Sequence, residues 1–239
     1  TNTYAIHRDR LKGTGLSNQF EILHAAAIRE ATGARRPGTR IAGSVGPLIG
    51  SYRPDAHPDV ATATPLYAEV AQFLAPAVDV IVMETVASLD HAEAAMAGAL
   101  MAGKPVWVAF TLDDEDGTAL RSGEKLADAL ALAAGAEAVL ANCSSPEALD
   151  MAMPILATSG KPYGGYANAF EQITKAFLAP EPTVDVLHER RDMGPDAYAQ
   201  HVMGWVAGGA SIVGGCCEVG PAHIAAIAAA LRKAGHRII

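Results

Sequence analysis

The sequence predicts a parallel α/β protein built as a (β/α)8 barrel, and three observations carry that reading. Short, almost continuously apolar runs alternate with Ala/Leu-rich helical stretches, the pattern of parallel strands buried on both faces by crossover helices. Polar or reactive residues close nearly every apolar run: Ser44, Glu84-Thr85, Thr111, Asn142-Cys143, Asn168 and Cys216-Cys217. An open doubly wound sheet gathers such residues at one switch point, whereas a barrel spreads them over many C-terminal strand ends. Finally, 239 residues, half of them apolar, suit one large core, so residues 1–239 are expected to form a single domain.

The elements follow in order. Strands are expected over 40–46, 78–85, 105–112, 138–143, 162–167 and 210–217. Helices are expected over 60–74, 89–101, 123–134, 146–158, 195–207 and 221–234, with an earlier one over 18–32. Ser88 precedes the 89–101 helix, and Ser145-Pro146, Gly194-Pro195 and Gly220-Pro221 set proline in a first helical turn. Gly135 and Gly235 stand where helices should stop. Six full strands are visible, and Thr1-Asn2-Thr3-Tyr4 reads as the tail of a seventh. The first strand of an eight-stranded barrel and most of the second are therefore expected to be missing here. The polar, Pro-containing segment 170–194 reads as a flexible active-site loop.

Charge narrows the partners. With 18 basic and 26 acidic residues, net −8, the chain has no electrostatic attraction for nucleic acid or an anionic membrane. Arg35-Arg36 and Arg190-Arg191 are short pairs read as solvated loop charges, and no apolar run has the length of a membrane span. Unpaired cysteines and the lack of a leader point to a reducing cytoplasm; self-association is left open.

The chemistry rests on three cysteines. Cys143 closes one strand, and Cys216-Cys217 close the last after Gly214-Gly215. Three thiolates can hold a zinc ion and leave its fourth position open, as catalytic sites require. An odd count argues against disulfides, and neighbouring cysteines pair only through a strained ring. Three buried apolar thiols are the plainer alternative. His223, in the first turn of the last helix, would close the site as a fourth ligand, but reads better as a helix-start histidine. His7, His24, His57, His91, His188, His201 and His236 lack ligand spacing and are read as surface or rim. The run Asp113-Asp114-Glu115-Asp116-Gly117 lacks the spaced acids of a calcium loop and reads as a solvated turn. Trp107 and Trp205 are read as packing residues.

Gly-Gly-Cys-Cys followed by Pro-x-His-Ile, with Ala-Asn-Cys-Ser-x-Pro upstream, resembles the zinc-dependent, cobalamin-independent homocysteine S-methyltransferase family. Weaker segments agree in order: Thr1-Asn2-Thr3-Tyr4, Gly43-Ser44-Val45-Gly46-Pro47, Met83-Glu84-Thr85 and Tyr166-Ala167-Asn168. The resemblance implies a (β/α)8 barrel, Zn2+ held by Cys143, Cys216 and Cys217, and homocysteine bound through its thiolate. It assigns Glu84 to the substrate's amino group and Tyr4 to the substrate pocket. Asn142 would orient the loop of Cys143, with Asn168 beside it on the rim. The implied reaction moves a methyl group from a sulfonium donor, S-methylmethionine or S-adenosylmethionine ahead of betaine, to homocysteine, giving methionine. Departures are Glu218-Val219-Gly220 in place of the usual Gly-Thr-Thr, Ala167 in place of a frequent proline, and an opening Asp-Gly-Gly strand that this sequence lacks. They motivate the alternatives of a non-catalytic zinc-binding or regulatory barrel, a methyltransferase for another thiol or selenol, and a thiol-redox barrel using Cys216-Cys217.

Overall fold

A computed structural model describes residues 1–171, 173 and 187–239. The chain folds as two compact units, residues 1–109 with 128–138, and residues 110–127 with 139–239. Residue 172 and residues 174–186 lie outside the described residues, and so does most of the expected 170–194 loop.

Unit 1 opens with a short helix α1 (Arg8–Leu11) that the sequence pattern does not announce, then α2 (Phe20–Ala34). Strand β1 (Ala42–Val45), helix α3 (Val60–Leu74), strand β2 (Val80–Val86), helix α4 (Leu89–Leu100) and strand β3 (Val106–Phe110) follow. β1 and β2 pair in parallel with Ser44 opposite Val82, and β3 comes next in the strand order. β2 is buried at six of its seven positions, with only Glu84 partly exposed. Asp59 and Ser88 cap α3 and α4 by accepting the amides of Thr62 and His91, each worth about 1 kcal/mol. Gly98 lets α4 press on α3, because a Cβ there would stand 2.7 Å from Thr64 O and from Tyr67 Cβ.

Helix α5 (Leu126–Leu132), shorter than the expected 123–134, leads to unit 2. The residues before it turn back on themselves, bridging Leu112 to Leu120 and Ala119 to Lys125. Strand β4 (Ala138–Asn142), helix α6 (Pro146–Ala157), strand β5 (Tyr163–Tyr166), helix α7 (Pro195–Ala207), strand β6 (Ile212–Val213) and helix α8 (Pro221–Lys233) complete the chain. β4 pairs β5 and β5 pairs β6, both in parallel. All five β4 residues are buried. Ser145 caps α6, Pro195 and Pro221 open α7 and α8, and Gly235 (φ +85°) follows α8. The expected strand over 210–217 shrinks to two residues, since the chain turns into a loop at Gly214-Gly215. The architecture is α/β and TIM-barrel-like.

Candidate functional site

The three expected ligands, all in unit 2, follow β4 and β6, the strands that flank β5, and backbone geometry aims them. Asn142 stands opposite Tyr166 in the β4–β5 register, and Cys143 follows with φ +50°. That left-handed conformation costs a non-glycine residue roughly 1–3 kcal/mol and persists only where its surroundings impose it. Here the Cys143 amide donates to Tyr166 O at 3.2 Å and the Thr111 hydroxyl lies 3.4 Å from Cys143 O. Ser144, fully buried, accepts the Leu112 amide at 2.7 Å and so ties the 112 strand end to the cysteine loop. The segment after β6 is sewn to β5 and the loop that follows it by three backbone bonds. Gly214 N donates to Gly165 O, Cys216 N to Ala167 O, and Ala169 N to Cys217 O, at 3.1, 2.9 and 3.0 Å. Residues 216–219 then close a turn, Val219 N donating to Cys216 O, with Glu218 at φ +62°. A Cβ on Gly215 would run into the Val219 side chain, so this turn requires glycine before the cysteine pair.

The result is a sulfur cluster: one ligand atom from each of Cys143, Cys216 and Cys217 falls within 4.8 Å of the others. Zinc–sulfur bonds of about 2.3 Å at tetrahedral angles set sulfurs roughly 3.8 Å apart. Cys217 Sγ stands 4.0 Å from Cys143 Sγ and 3.9 Å from Cys216 Sγ, close to that spacing. Cys143 and Cys216 are joined as a disulfide, with Cα atoms 5.7 Å apart, and Cys217 stays outside the bridge as a thiol. This corrects the expectation that disulfides have no place here. The bridge links two loops and not two neighbours, so the strained-ring objection does not reach it, and an odd count still permits one bridge. Thiolates are the ligating form, so these three sulfurs could hold a metal ion together only with the bridge reduced. Soft thiolate donors in this number fit zinc.

His223 is not a fourth ligand. Its Nδ1 accepts the Gly220 amide at 3.2 Å, so its Nε2 carries the proton and donates to Met193 O at 3.1 Å. Both nitrogens are spent, one on capping α8 and the other on the segment before α7. Asn142, directly before Cys143, and Asn168, in the loop after β5, are both buried. Asn168 shapes its own turn, its Oδ1 accepting the Phe170 amide at 3.3 Å while its amide donates to Ser144 O. The acidic run is a turn, Asp113 accepting the amides of Glu115 and Asp116. Trp107 binds Glu137, and Trp205 is core. Two residues carry positions that the sequence pattern did not single out, Ser144 and Tyr198. Ser144 follows a strand-end cysteine and was findable; nothing in the pattern marks Tyr198.

Unit 1 holds the other two expected residues. Glu84, the partly exposed position of β2, accepts from the Ser44 hydroxyl at the end of β1. Thr85, directly after it, is buried and left-handed at φ +60°. The Tyr4 hydroxyl pairs with Ser51 at 2.8 Å, and burial pushes its phenol up to about 12, so it stays protonated. The histidines of this unit overturn the surface reading. His7, His24 and His91 are buried and His57 half-buried. The Ala87 amide donates to His91 Nδ1, which leaves Nε2–H to donate to the Tyr67 oxygen at 2.8 Å. Tyr67 in turn donates to His57 Nε2 at 2.9 Å. Desolvation, first among the causes, lowers the pKa of all four, that of His7 to about 4.

The comparisons with known proteins point to one family. Residues 1–231 match the family described as homocysteine S-methyltransferase. A homocysteine S-methyltransferase of Escherichia coli (strain K12) is 31% identical over 225 residues, covering 86% of this chain and 68% of that protein. A selenocysteine Se-methyltransferase of Brassica oleracea var. italica is 28% identical over 62% of this chain, and a Zea mays homocysteine S-methyltransferase 31% over 54%. The chain spans only about two-fifths of the length of those two plant relatives, 42% and 37%. Among solved structures, the metallated form of the homocysteine methyltransferase MmuM from Escherichia coli superposes with a TM-score of 0.73 at 27% identity, over 96% of this chain and 78% of that one. With the family matched along nearly its whole length and three sulfurs gathered on two strand ends, this chain belongs to the homocysteine S-methyltransferase family.

Proposed function

We propose that this chain transfers a methyl group from a sulfonium donor to the thiol of homocysteine, giving methionine, with zinc as its metal. The observation that carries the proposal is the three-sulfur cluster of Cys143, Cys216 and Cys217. Those cysteines would hold the ion through three thiolates and leave one position for a substrate sulfur. Zinc bound there would supply Lewis acidity that keeps the substrate thiol as its thiolate at neutral pH. In the transfer, the homocysteine sulfur forms a bond to the methyl carbon as the donor's sulfur–methyl bond breaks, and the donor leaves as a neutral thioether. A cationic donor that loses its charge gains from a site with little water, a gain that sulfonium donors and betaine would share; S-methylmethionine and S-adenosylmethionine are kept ahead of betaine on the resemblance alone. Glu84, oriented by Ser44, offers a carboxylate to the substrate ammonium. Tyr4, a neutral phenol, is assigned to the substrate pocket, and buried Asn142 and Asn168 to the support of the Cys143 loop.

The single (β/α)8 domain expected from the sequence, and a cytoplasmic setting that keeps the thiols reduced, belong to the same proposal. A selenol acceptor is the second reading, because one relative carries the name selenocysteine Se-methyltransferase. The decisive experiment is a panel of S-methylmethionine, S-adenosylmethionine and betaine against homocysteine and selenocysteine, with metal analysis of the same reduced sample. Stoichiometric zinc and methionine formation are expected, both lost in Cys216→Ala. A metal-free sample, or undiminished methylation by Cys216→Ala, would end the proposal. Methionine formed from any donor removes the non-catalytic alternative.

A further inference from the structure

The cysteine pair needs its loop held still, and the loop's backbone bonds converge on one buried side chain. Tyr198, in the first turns of α7, is 0% exposed. Its hydroxyl reaches Gly214 O at 2.9 Å and Ala167 O at 3.1 Å. Gly214 lies two residues before Cys216, and Ala167 O is the carbonyl that accepts the Cys216 amide at 2.9 Å. One phenol thus touches both sides of the seam between the loop after β5 and the loop after β6, and sits one carbonyl away from the backbone of Cys216. Its ring is fixed in turn, edge to face against Trp205 at 6.3 Å and against His223 at 5.8 Å. His223 caps the helix that starts directly after the cysteine turn and donates to Met193 O. Through Gly214, Ala167 and His223, Tyr198 therefore borders the segment that carries the cysteine pair on several sides.

We propose that Tyr198 is a positioning residue of the metal centre, setting the spacing of Cys216 and Cys217 relative to Cys143 through the Gly214 and Ala167 carbonyls. The inference rests on the metal-site reading above. It goes further by assigning metal affinity to a residue that offers no ligand atom and lies away from all three cysteines in sequence. A cysteine sulfur is placed by its backbone and a single torsion, so a shift of a few tenths of an ångström at Ala167 or Gly214 passes to the sulfurs almost undiminished. Partners that orient ligands in this manner typically command about 10- to 100-fold in metal affinity.

The same unit supplies a control. Tyr163, at the opposite end of β5, donates its hydroxyl to Gly208 O at 2.5 Å. It too is a buried tyrosine bonded to a carbonyl, and that carbonyl follows α7 and is neither of the two, Ala167 O and Gly214 O, that border the cysteine turn. The experiment uses the full chain, reduced and zinc-loaded, in competition with a chromogenic zinc chelator, with a thermal melt of each sample. Tyr198→Phe is expected to weaken zinc binding about 10- to 100-fold. Tyr163→Phe is expected to lower the melting temperature to a similar extent yet hold zinc within about twofold of the unaltered chain. Equal zinc affinity in Tyr198→Phe and the unaltered chain would overturn the inference, and so would equal losses in the two variants. Zinc uptake that is already absent from the unaltered chain would instead sink the metal-site reading and this inference with it. Should Tyr198→Phe not fold, hydroxyl proton resonances of the unaltered chain decide the matter. The Tyr198 signal must move on zinc addition while that of Tyr163 stays, and a stationary Tyr198 signal rejects the role.

Discussion

In unit 1 the candidate substrate carboxylate, Glu84, is held by another side chain, the hydroxyl of Ser44. In unit 2 the sulfurs of Cys143 and Cys216 are placed by their own backbone amides, on Tyr166 O and Ala167 O. The difference follows from side-chain length. A carboxylate three bonds from its backbone wanders unless something grips its oxygen, and a neighbouring hydroxyl suffices. A thiol one torsion from its backbone goes where the chain goes, so its precision must be built into loops, turns and left-handed residues. Both units accept strained backbone beside these groups, at Thr85 in the first and at Cys143 and Glu218 in the second. In the first the strained residue follows the functional one; in the second a strained residue is itself a candidate ligand.

The sharpest way to break this comparison is to remove one group from each unit. Cys217 is exposed and offers little to the core. Cys217→Ser should therefore leave the melting temperature within about 2 °C, yet weaken zinc binding by more than the roughly 100-fold that outer partners command, with methyl transfer falling in parallel. Glu84→Gln should retain zinc in full and raise KM for homocysteine, by about 10- to 100-fold if a charge-assisted bond of about 1.5–3 kcal/mol is lost. Metal analysis and steady-state kinetics on both variants check the pair. Zinc loss from Glu84→Gln, or zinc retention by Cys217→Ser, would show that the division of labour is misdrawn.

Acid should separate the units by stability. Burial lowers the pKa of His7, His24, His57 and His91, all in unit 1, below the unfolded value near 6.5. For a histidine with a depressed folded pKa, the neutral form is the one the fold accepts. Above about pH 6.5 neither state binds the proton and stability is complete. As pH falls below that value the unfolded chain takes up protons that the folded chain refuses, and stability declines until the folded pKa is reached, about 4 for His7. A tenfold difference in proton affinity is worth about 1.4 kcal/mol, so His7 alone accounts for at most about 3 kcal/mol. The His91 geometry gives the same sign, since a proton on Nδ1 would face the Ala87 amide that now donates to it. Urea melts from pH 7.5 to 4.5 should show falling stability, with amide exchange rising first in α3 and α4. A flat profile through this window would contradict the buried, neutral assignment.

How much of this was legible depends on how local each feature is. The order of strands and helices follows from apolar runs and proline-opened helices; the structure keeps the six full strands and seven helices expected, but residues 1–4, read as the tail of a seventh strand, form no strand. The cysteine cluster was legible because adjacency and strand ends are sequence properties. Its Cys143–Cys216 bridge was not, because cross-loop pairing depends on where two loops meet. The buried histidines were misjudged for the same reason: an isolated histidine carries no periodic signal, and only packing takes it from water, around Tyr67 for His7, His57 and His91 and against Phe20 and Phe73 for His24. β6 came out short because Gly214-Gly215 releases the strand early, and glycine permits such a departure without announcing it. Tyr198 had no signal at all, since its role lies in two carbonyls of other loops.

The smallest expected effect tests the strained backbone itself. Val219 N donates to Cys216 O, so residues 216–219 form a turn in which Glu218 is the third residue. At φ +62° it occupies the position where type II turns demand a positive φ and favour glycine. A non-glycine residue in that region costs roughly 1–2 kcal/mol, whereas glycine adds unfolded-state entropy of about 0.4–1 kcal/mol. Glu218→Gly should therefore stabilise the chain by about 0.5–1 kcal/mol, a rise of a few degrees in melting temperature. The cysteine sulfurs are fixed by the bonds at 165–169 and not by the Glu218 side chain, so zinc affinity should hold within about twofold. A stabilised variant with weakened zinc binding would mean that the strain at Glu218, and not the backbone seam alone, sets the spacing of the sulfurs.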